Sequence, residues 1–457
     1  MSVAALIWRL ANLASTSRYQ ASLLTDFLHA PLVTLTTLAQ TAVHDFSEVI
    51  ILPWVHAFSP AIAFNSNSGV VYIGLVGLVS ISVFIYLFFL RDAQEKQSVQ
   101  TRKASWLFLG LGLISFLLAS LPFWIAEISV TNAFNIENRP AITQGFGATL
   151  ILLSVLVLFR NKARISGLLI VSVLAGLFAG VQFSGANQFR DEWTRQKDLF
   201  WELAWRAPTL KPGTIIIMTD PAFLMTGENS ISSAINWNNI QETNPHESEY
   251  FLYFDQTRIK FELPNYQLGQ QVDIGHMTGR FSLNTTNTLV LRFSPPGCLR
   301  VIDPTIEQYN PDITDYTKEY VPFSNPAVIQ GTSAVDNGPI DRNIFWDEPT
   351  HGWCYYFEKA DLARQLNDWS TVAEMGEKAL ALNKTPEDIA EYLVYIEGYA
   401  HSGNWDKAVQ LTDTVTNKSV EYQKMVCALW TRIDQQTLPG PQKEQALSII
   451  LSGNHCK

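Results

Sequence analysis

Charge is scarce in this 457-residue chain: 16% of residues are Asp, Glu, Lys or Arg, against roughly 25% in an ordinary soluble domain. With 47% of residues hydrophobic, that deficit excludes a protein bathed in water along its whole length and implies lipid contact. Cysteine is scarce too. Four in such a length cannot build a disulfide scaffold, and with no C-x-x-C or Cys/His cluster they offer no zinc site. The phosphate-cradling glycine loop, the G-x-S-x-G elbow and the H-E-x-x-H helix are absent from the sequence. No motif therefore points to a metal, a cofactor or one of the common catalytic classes. A basic stripe is missing as well. Downstream of Ser184, 22 Lys and Arg stand against 35 Asp and Glu, whereas upstream 10 stand against 7. This acidic balance argues against a nucleic-acid partner.

What is abundant is concentrated. Residues 69 to 90, GVVYIGLVGLVSISVFIYLFFL, contain no charge and at about 1.5 Å per residue span the roughly 30 Å hydrocarbon layer. Residues 106 to 126 form a second run, with Trp106 at one end and Phe123 and Trp124 at the other as interfacial anchors. Runs near 143 to 159 and 166 to 184 complete a domain of about four transmembrane helices over residues 69–184. The connections carrying Arg91, Lys96, Arg102 and Lys103, and Arg160, Lys162 and Arg164, are placed in the cytoplasm by the positive-inside rule. The loop at 127 to 142 then faces out, and so do both the N-terminal 68 residues and the C-terminal region. Residues 1–68 read as amphipathic, interfacial helices rather than a signal peptide, since Arg9 interrupts the first apolar stretch. His44, Asp45 and Glu48 share one helical face with donor types suited to a metal, but read better as surface positions. A fifth crossing near 31 to 55 is disfavoured because it would bury those same charges.

Residues 185–208, with Trp193, Phe200, Trp201 and Trp205, read as a stalk helix ending ahead of Pro208 and Pro212. Residues 209–352 read as a mixed α/β subdomain with a long connection. Its strands are TIIIMTD (214 to 220), YFLYFD (250 to 255), TLVLRF (288 to 293) and CLRVI (298 to 302). The acidic stretch with Asp303, Glu307, Asp312, Asp315 and Glu319 reads as a solvated segment. From Trp353 the pattern turns helical, and two stretches align at a spacing of 36, Asn367-Asp368-Trp369 with Gly403-Asn404-Trp405. They resemble tetratricopeptide hairpins, whose period is 34. Residues 353–457 are thus an α-α repeat domain, with Trp369, Ala379, Trp405 and Ala408 as packing positions and a third helix pair near 420 to 435 and 441 to 452.

Candidate site residues are few. Asp220 ends a strand, where open sheets often contact ligands, and Glu228 and Asn236 follow it in a candidate ligand loop; the alternative is a turn cap before Pro221. Arg139, in Glu137-Asn138-Arg139-Pro140, is the one cation of the outward loop and a candidate contact for a lipid phosphate, or an interfacial arginine paired with Glu137. Cys298 and Cys354 are a candidate disulfide in an oxidising compartment, or else buried thiols. Cys427 reads as a buried free thiol.

The helix order, the ENRPAITQGFG loop, the stalk DEWTRQKDLFWELAWRAP, the GTIIIMTD strand and WCYYFEKADLARQLNDW resemble uncharacterised multi-spanning bacterial proteins with C-terminal tetratricopeptide-like repeats. The membrane part of those proteins is distantly similar to the C-terminal half of C-type glycosyltransferases, which use polyprenyl-phosphate sugars. That resemblance implies a multi-pass protein of the bacterial plasma membrane with its C-terminal domain outside the cytoplasm. It also implies a chain that starts in the middle of its longer counterparts, without the catalytic carboxylate of their first outward loop. The leading expectation is a scaffold or accessory subunit binding a protein or glycan partner, and the alternative is a portion of such a transferase.

Overall fold

The structure is a computed structural model that describes residues 27–57, 67–89, 98–125, 128–130, 139–160, 164–218, 223–239, 247–254, 256–263, 265–276, 279–331, 340, 342–345, 347–451 and 456. The chain divides into two compact units, Met1–Arg190 and Asp191–Lys457. The helices expected at 4 to 14 and most of that at 19 to 29 lie outside the described residues, as do most of the cation-bearing connections.

In the first unit, α1 (Pro31–Phe46) runs through a π turn (Ser47–Ile51) into α2 (Leu52–Ala57), followed by α3 (Asn67–Phe89), α4 (Ser98–Ile125) and α5 (Arg139–Arg160). The next helix, α6 (Arg164–Arg206), continues without a break through the expected stalk into the second unit. Among the described residues, α3 to α6 are the four helices long and apolar enough to cross a membrane. They pack through small residues, as apolar helices must when lipid offers no hydrophobic drive for association. A Cβ added at Gly147 of α5 would lie 2.5 Å from the Phe116 nitrogen of α4. Gly176 and Gly180, one turn apart on α6, approach Val76, Ser80 and Tyr72 of α3 just as closely.

The second unit is built on a four-stranded sheet. Its strands are β1 (Thr214–Met218), β3 (Tyr250–Tyr253), β6 (Thr288–Arg292) and β7 (Arg300–Val301), in the order β3-β1-β6-β7. The short β2 (Glu247–Ser248) pairs with β5 (Gly279–Asn284), and β5 forms a hairpin with β4 (Gln271–His276). Strand β1 is parallel to both neighbours, and α7 (Glu228–Asn239) makes the crossover to β3. Parallel strands are covered on both faces, so every residue of TIIIM is buried. Side chains alternate across a strand. Ile216 and Met218 therefore enter a core shared with the C-terminal helices, while Ile215 and Ile217 enter a second core with Phe281 and Leu283 of β5, α8 (Gln256–Glu262) and α9 (Asp315–Tyr320).

Three helix hairpins close the chain. They are α11–α12 (Trp353–Gln365 and Trp369–Ala381), α13–α14 (Tyr392–His401 and Trp405–Lys418) and α15–α16 (Gln423–Gln436 and Pro441–Ile450), and the short α10 (Arg342–Phe345) precedes them. The first two hairpins turn through left-handed residues at matching positions, Asn367 (φ 59) and Gly403 (φ 80), which are the residue types that adopt that conformation cheaply. Ala379 and Ala408 are fully buried. Trp369 stacks on His401 at 3.7 Å, Trp405 lies 6.5 Å from Trp430, and Gly398 admits Val372 of the preceding hairpin. One hydrophobic core runs from Leu199 at the end of α6, through the sheet, to Ile450.

Candidate functional site

In the first unit the structure revises the reading of Asp45. It is not a surface residue but is fully buried, whereas its neighbour His44 is half exposed. Its carboxylate accepts the Trp124 indole N–H (2.8 Å), the Val130 backbone N–H (3.0 Å) and the Gln144 side-chain amide (3.4 Å). Gln144 also donates to the Ser120 hydroxyl at 2.9 Å. A buried carboxylate needs donors or a counter-charge, and here neutral donors from the end of α4, the following loop and the start of α5 satisfy it, with the half-exposed His44 ring also 3.4 Å away. The π turn follows at once, a feature common at functional sites, and the Glu48 oxygen Oε2 and the Gln144 carbonyl oxygen are buried without partners.

The second unit holds a charged seam between the sheet and the hairpins. Arg300 of β7 pairs with Asp388 at 2.7 Å and with Glu307, and Arg292 of β6 reaches Asp388 at 2.8 Å. Asp303, just past β7, binds Arg432 of α15 at 2.5 Å and Arg364 of α11 at 3.3 Å. Glu397 of α13 binds Arg432 at 2.7 Å, and Asp361 of α11 binds Arg206 of α6 at 2.5 Å and Arg364 at 2.8 Å. Burial raises the Asp303 and Asp361 carboxyls, but the arginines beside them outweigh it and hold both below the usual carboxylate range. These pairs therefore persist until the medium is strongly acidic. A cavity of about 30 Å³ lies between Arg300, Asp303, Arg364, Glu397, Arg432 and Leu429, room for a water rather than a substrate.

Arg364, Glu397 and Arg432 stand 33 and 35 residues apart, one on the first helix of each successive hairpin. The repeat spacing was the signal that could have found them. Instead, Asp303 and Glu307 were expected in a solvated segment. Glu307 is in fact buried and Asp303 nearly so, because Arg300, Arg364 and Arg432 supply the counter-charge; Asp315 does lie in solvent.

The other expected positions are dispersed. Arg139 is the first residue of α5, and its side chain lies outside the described residues, as does Asp220. Glu228 is buried, pairing with Arg258 at 3.0 Å and accepting the Phe254 backbone N–H. Asn236 is spent on the backbone of β3, accepting from Glu249 and Tyr250 and donating to the Tyr250 carbonyl. Cys298 and Cys354 are joined by a disulfide. Cys427, expected as a free thiol, is bonded to Cys456, a pairing that helix periodicity does not reveal. Among the described residues no group of three or more His, Cys, Asp or Glu is arranged to hold a metal ion.

No protein-family model, curated protein or solved structure matches this chain.

Proposed function

We propose that this chain is a membrane-anchored scaffold or accessory subunit of the bacterial plasma membrane whose C-terminal repeats, tetratricopeptide-like, bind a protein or glycan partner outside the cytoplasm. The observation that carries this reading is the division of labour within the hairpins. Their first helices are committed to the chain's own sheet through Arg364, Glu397 and Arg432. Their second helices carry exposed polar side chains such as Glu374, Lys378, Asp406, Gln410 and Glu444 on a framework already held in place. A preformed surface loses little entropy on binding. The two disulfides of the second unit support an oxidising compartment. The test is cross-linking of intact cells followed by mild-detergent purification, with cross-links expected at Lys378 and Lys418. A monodisperse monomer without a copurifying partner sinks the reading.

A second reading, a portion of a glycosyltransferase that uses a polyprenyl-phosphate sugar, draws support from the buried acid Asp45, held by Gln144 of the helix that Arg139 begins. Sugar transfer by membranes containing the chain, lost in Asp45→Asn and Arg139→Ala, is the expected result. Absence of transfer with the neighbouring gene products present would retire it.

A further inference from the structure

Three glutamates take no part in the seam's ion pairs, yet all are buried around one point of the second unit. Glu202 of α6 accepts the Leu299 backbone N–H at 2.5 Å. Glu391, before α13, accepts the Cys298 backbone N–H at 3.1 Å and the Trp353 indole N–H at 2.5 Å. Glu358 of α11, one turn beyond the disulfide-bonded Cys354, is fully buried, and neither of its oxygens has a partner. An unpaired carboxylate cannot stay ionised in such a place; it holds its proton.

We propose that Glu202, Glu358 and Glu391 form a proton-operated latch that joins the end of α6, the Cys298–Leu299 corner and the first two hairpins, closed when the acids are protonated and loosened when they ionise.

The surroundings fix the direction. Glu358 faces Glu202 and Arg206 of α6, Asp361 of its own helix, and Glu391 and Tyr395 from the α13 side. Glu391 faces Asp388, Arg300 of β7, Trp353 and Glu358, and Asp198 lies near Glu202. Arg206 and Arg300 already pair with Asp361 and with Asp388 and Glu307; Nη2 of Arg206 is buried without a partner, but one such group does not offset three charges, so ionising the three glutamates places like charges together. Burial, reinforced by neighbouring acids, pushes the Glu202 carboxyl up to about 8, the Glu391 carboxyl up to about 7 and the Glu358 carboxyl well above its ordinary value. An acid raised in the folded state binds its proton more tightly there than when unfolded. Its stabilising contribution is therefore complete below the unfolded value of 4.5 and is lost as pH climbs through 7. Asp361 and Asp388 are lowered and do not titrate in that window. His401, lowered by burial, works in the opposite sense and weakens the fold on acidification.

The experiment is thermal unfolding of the full chain in detergent from pH 5 to 8.5, for the wild type, Glu358→Gln, the Glu202→Gln/Glu358→Gln/Glu391→Gln triple variant and the exposed control Glu374→Gln. For Glu391 alone, raised from 4.5 to about 7, the folding equilibrium should change by about 75-fold across the window, a fall in Tm of roughly 5–10 °C. The triple variant should flatten the profile, and the control should keep the wild-type slope. An unchanged wild-type Tm, or a slope kept by the triple variant, overturns the latch. Should the triple variant not fold, infrared spectroscopy decides. A protonated-carboxyl C=O band at pH 7 that loses intensity in Glu358→Gln supports the latch, whereas a band unchanged in Glu358→Gln or absent from the wild type refutes it.

Discussion

The two units bury charge in opposite ways. In Met1–Arg190 one carboxylate, Asp45, is enclosed by neutral N–H donors. In Asp191–Lys457, Arg206, Arg300 and Arg364 are buried against Asp361, Glu307 and Asp388. The contrast follows from what each sequence can supply. The helices of the first unit are built of apolar and small residues, so the ends of α4 and α5 offer an indole and an amide, and among the described residues no guanidinium pairs with Asp45. In the second unit each hairpin brings its own charge, and three elements far apart in sequence neutralise one another. Neutral donors hold a single acid in place, whereas an ion-pair ladder makes the position of each partner depend on all the others.

This difference can be broken at either end. The largest effect is expected for Asp361→Asn, which leaves Arg206 and Arg364 without their shared acid; removing one partner of a buried pair costs about 3–5 kcal/mol. It would appear as a large fall in the Tm of the full chain in detergent, and a variant melting like the wild type would show that the ladder does not hold the hairpins. Next comes Gly147→Leu. Its Cβ meets the α4 backbone at 2.5 Å, so α4 and α5 must part at a cost of about 3 kcal/mol. Gly145→Ala, with nothing within 4 Å, serves as the tolerated control by size-exclusion chromatography.

Asp45→Ala should cost less, about 1–3 kcal/mol, because the Trp124, Val130 and Gln144 donors it strands are uncharged and the His44 ring beside it is half exposed. Its melting curve should fall between those of Asp361→Asn and the wild type; a loss as large as that of Asp361→Asn would mean that Asp45 bears more than a clasping role. The smallest effect is expected for replacing the exposed Glu374 and Lys378 together by alanine. That surface pair (2.6 Å) is screened by solvent, and the melting curve should not move.

Much of the architecture was legible in the sequence because it rests on local physics. The apolar runs correspond to α3 to α6, and the strands opening at Thr214, Tyr250 and Thr288 lie where β-branched and aromatic residues cluster. The third hairpin lies where a stack needed completing. The β4–β5 hairpin escaped notice because GRFSLN and QVDIGH carry a weak alternation among polar residues. Asp45 and Glu307 were misjudged for one shared reason: hydropathy assigns a charged side chain to water unless its partner is known. The partners, Trp124 and Gln144 in one case and Arg300 in the other, are brought close only by folding.

By itself, then, the sequence determined which stretches are long and apolar enough for a bilayer, where the C-terminal helices lie, and where β-branched and aromatic runs form strands. These follow from composition and periodicity within a few turns of chain. Tertiary structure alone decided which charges are buried, which cysteines are bonded, and that the hairpins share their core and their charges with the sheet. Each of those depends on a group dozens to hundreds of residues away, such as Arg206 and Asp361, 155 residues apart, whose approach no local pattern encodes.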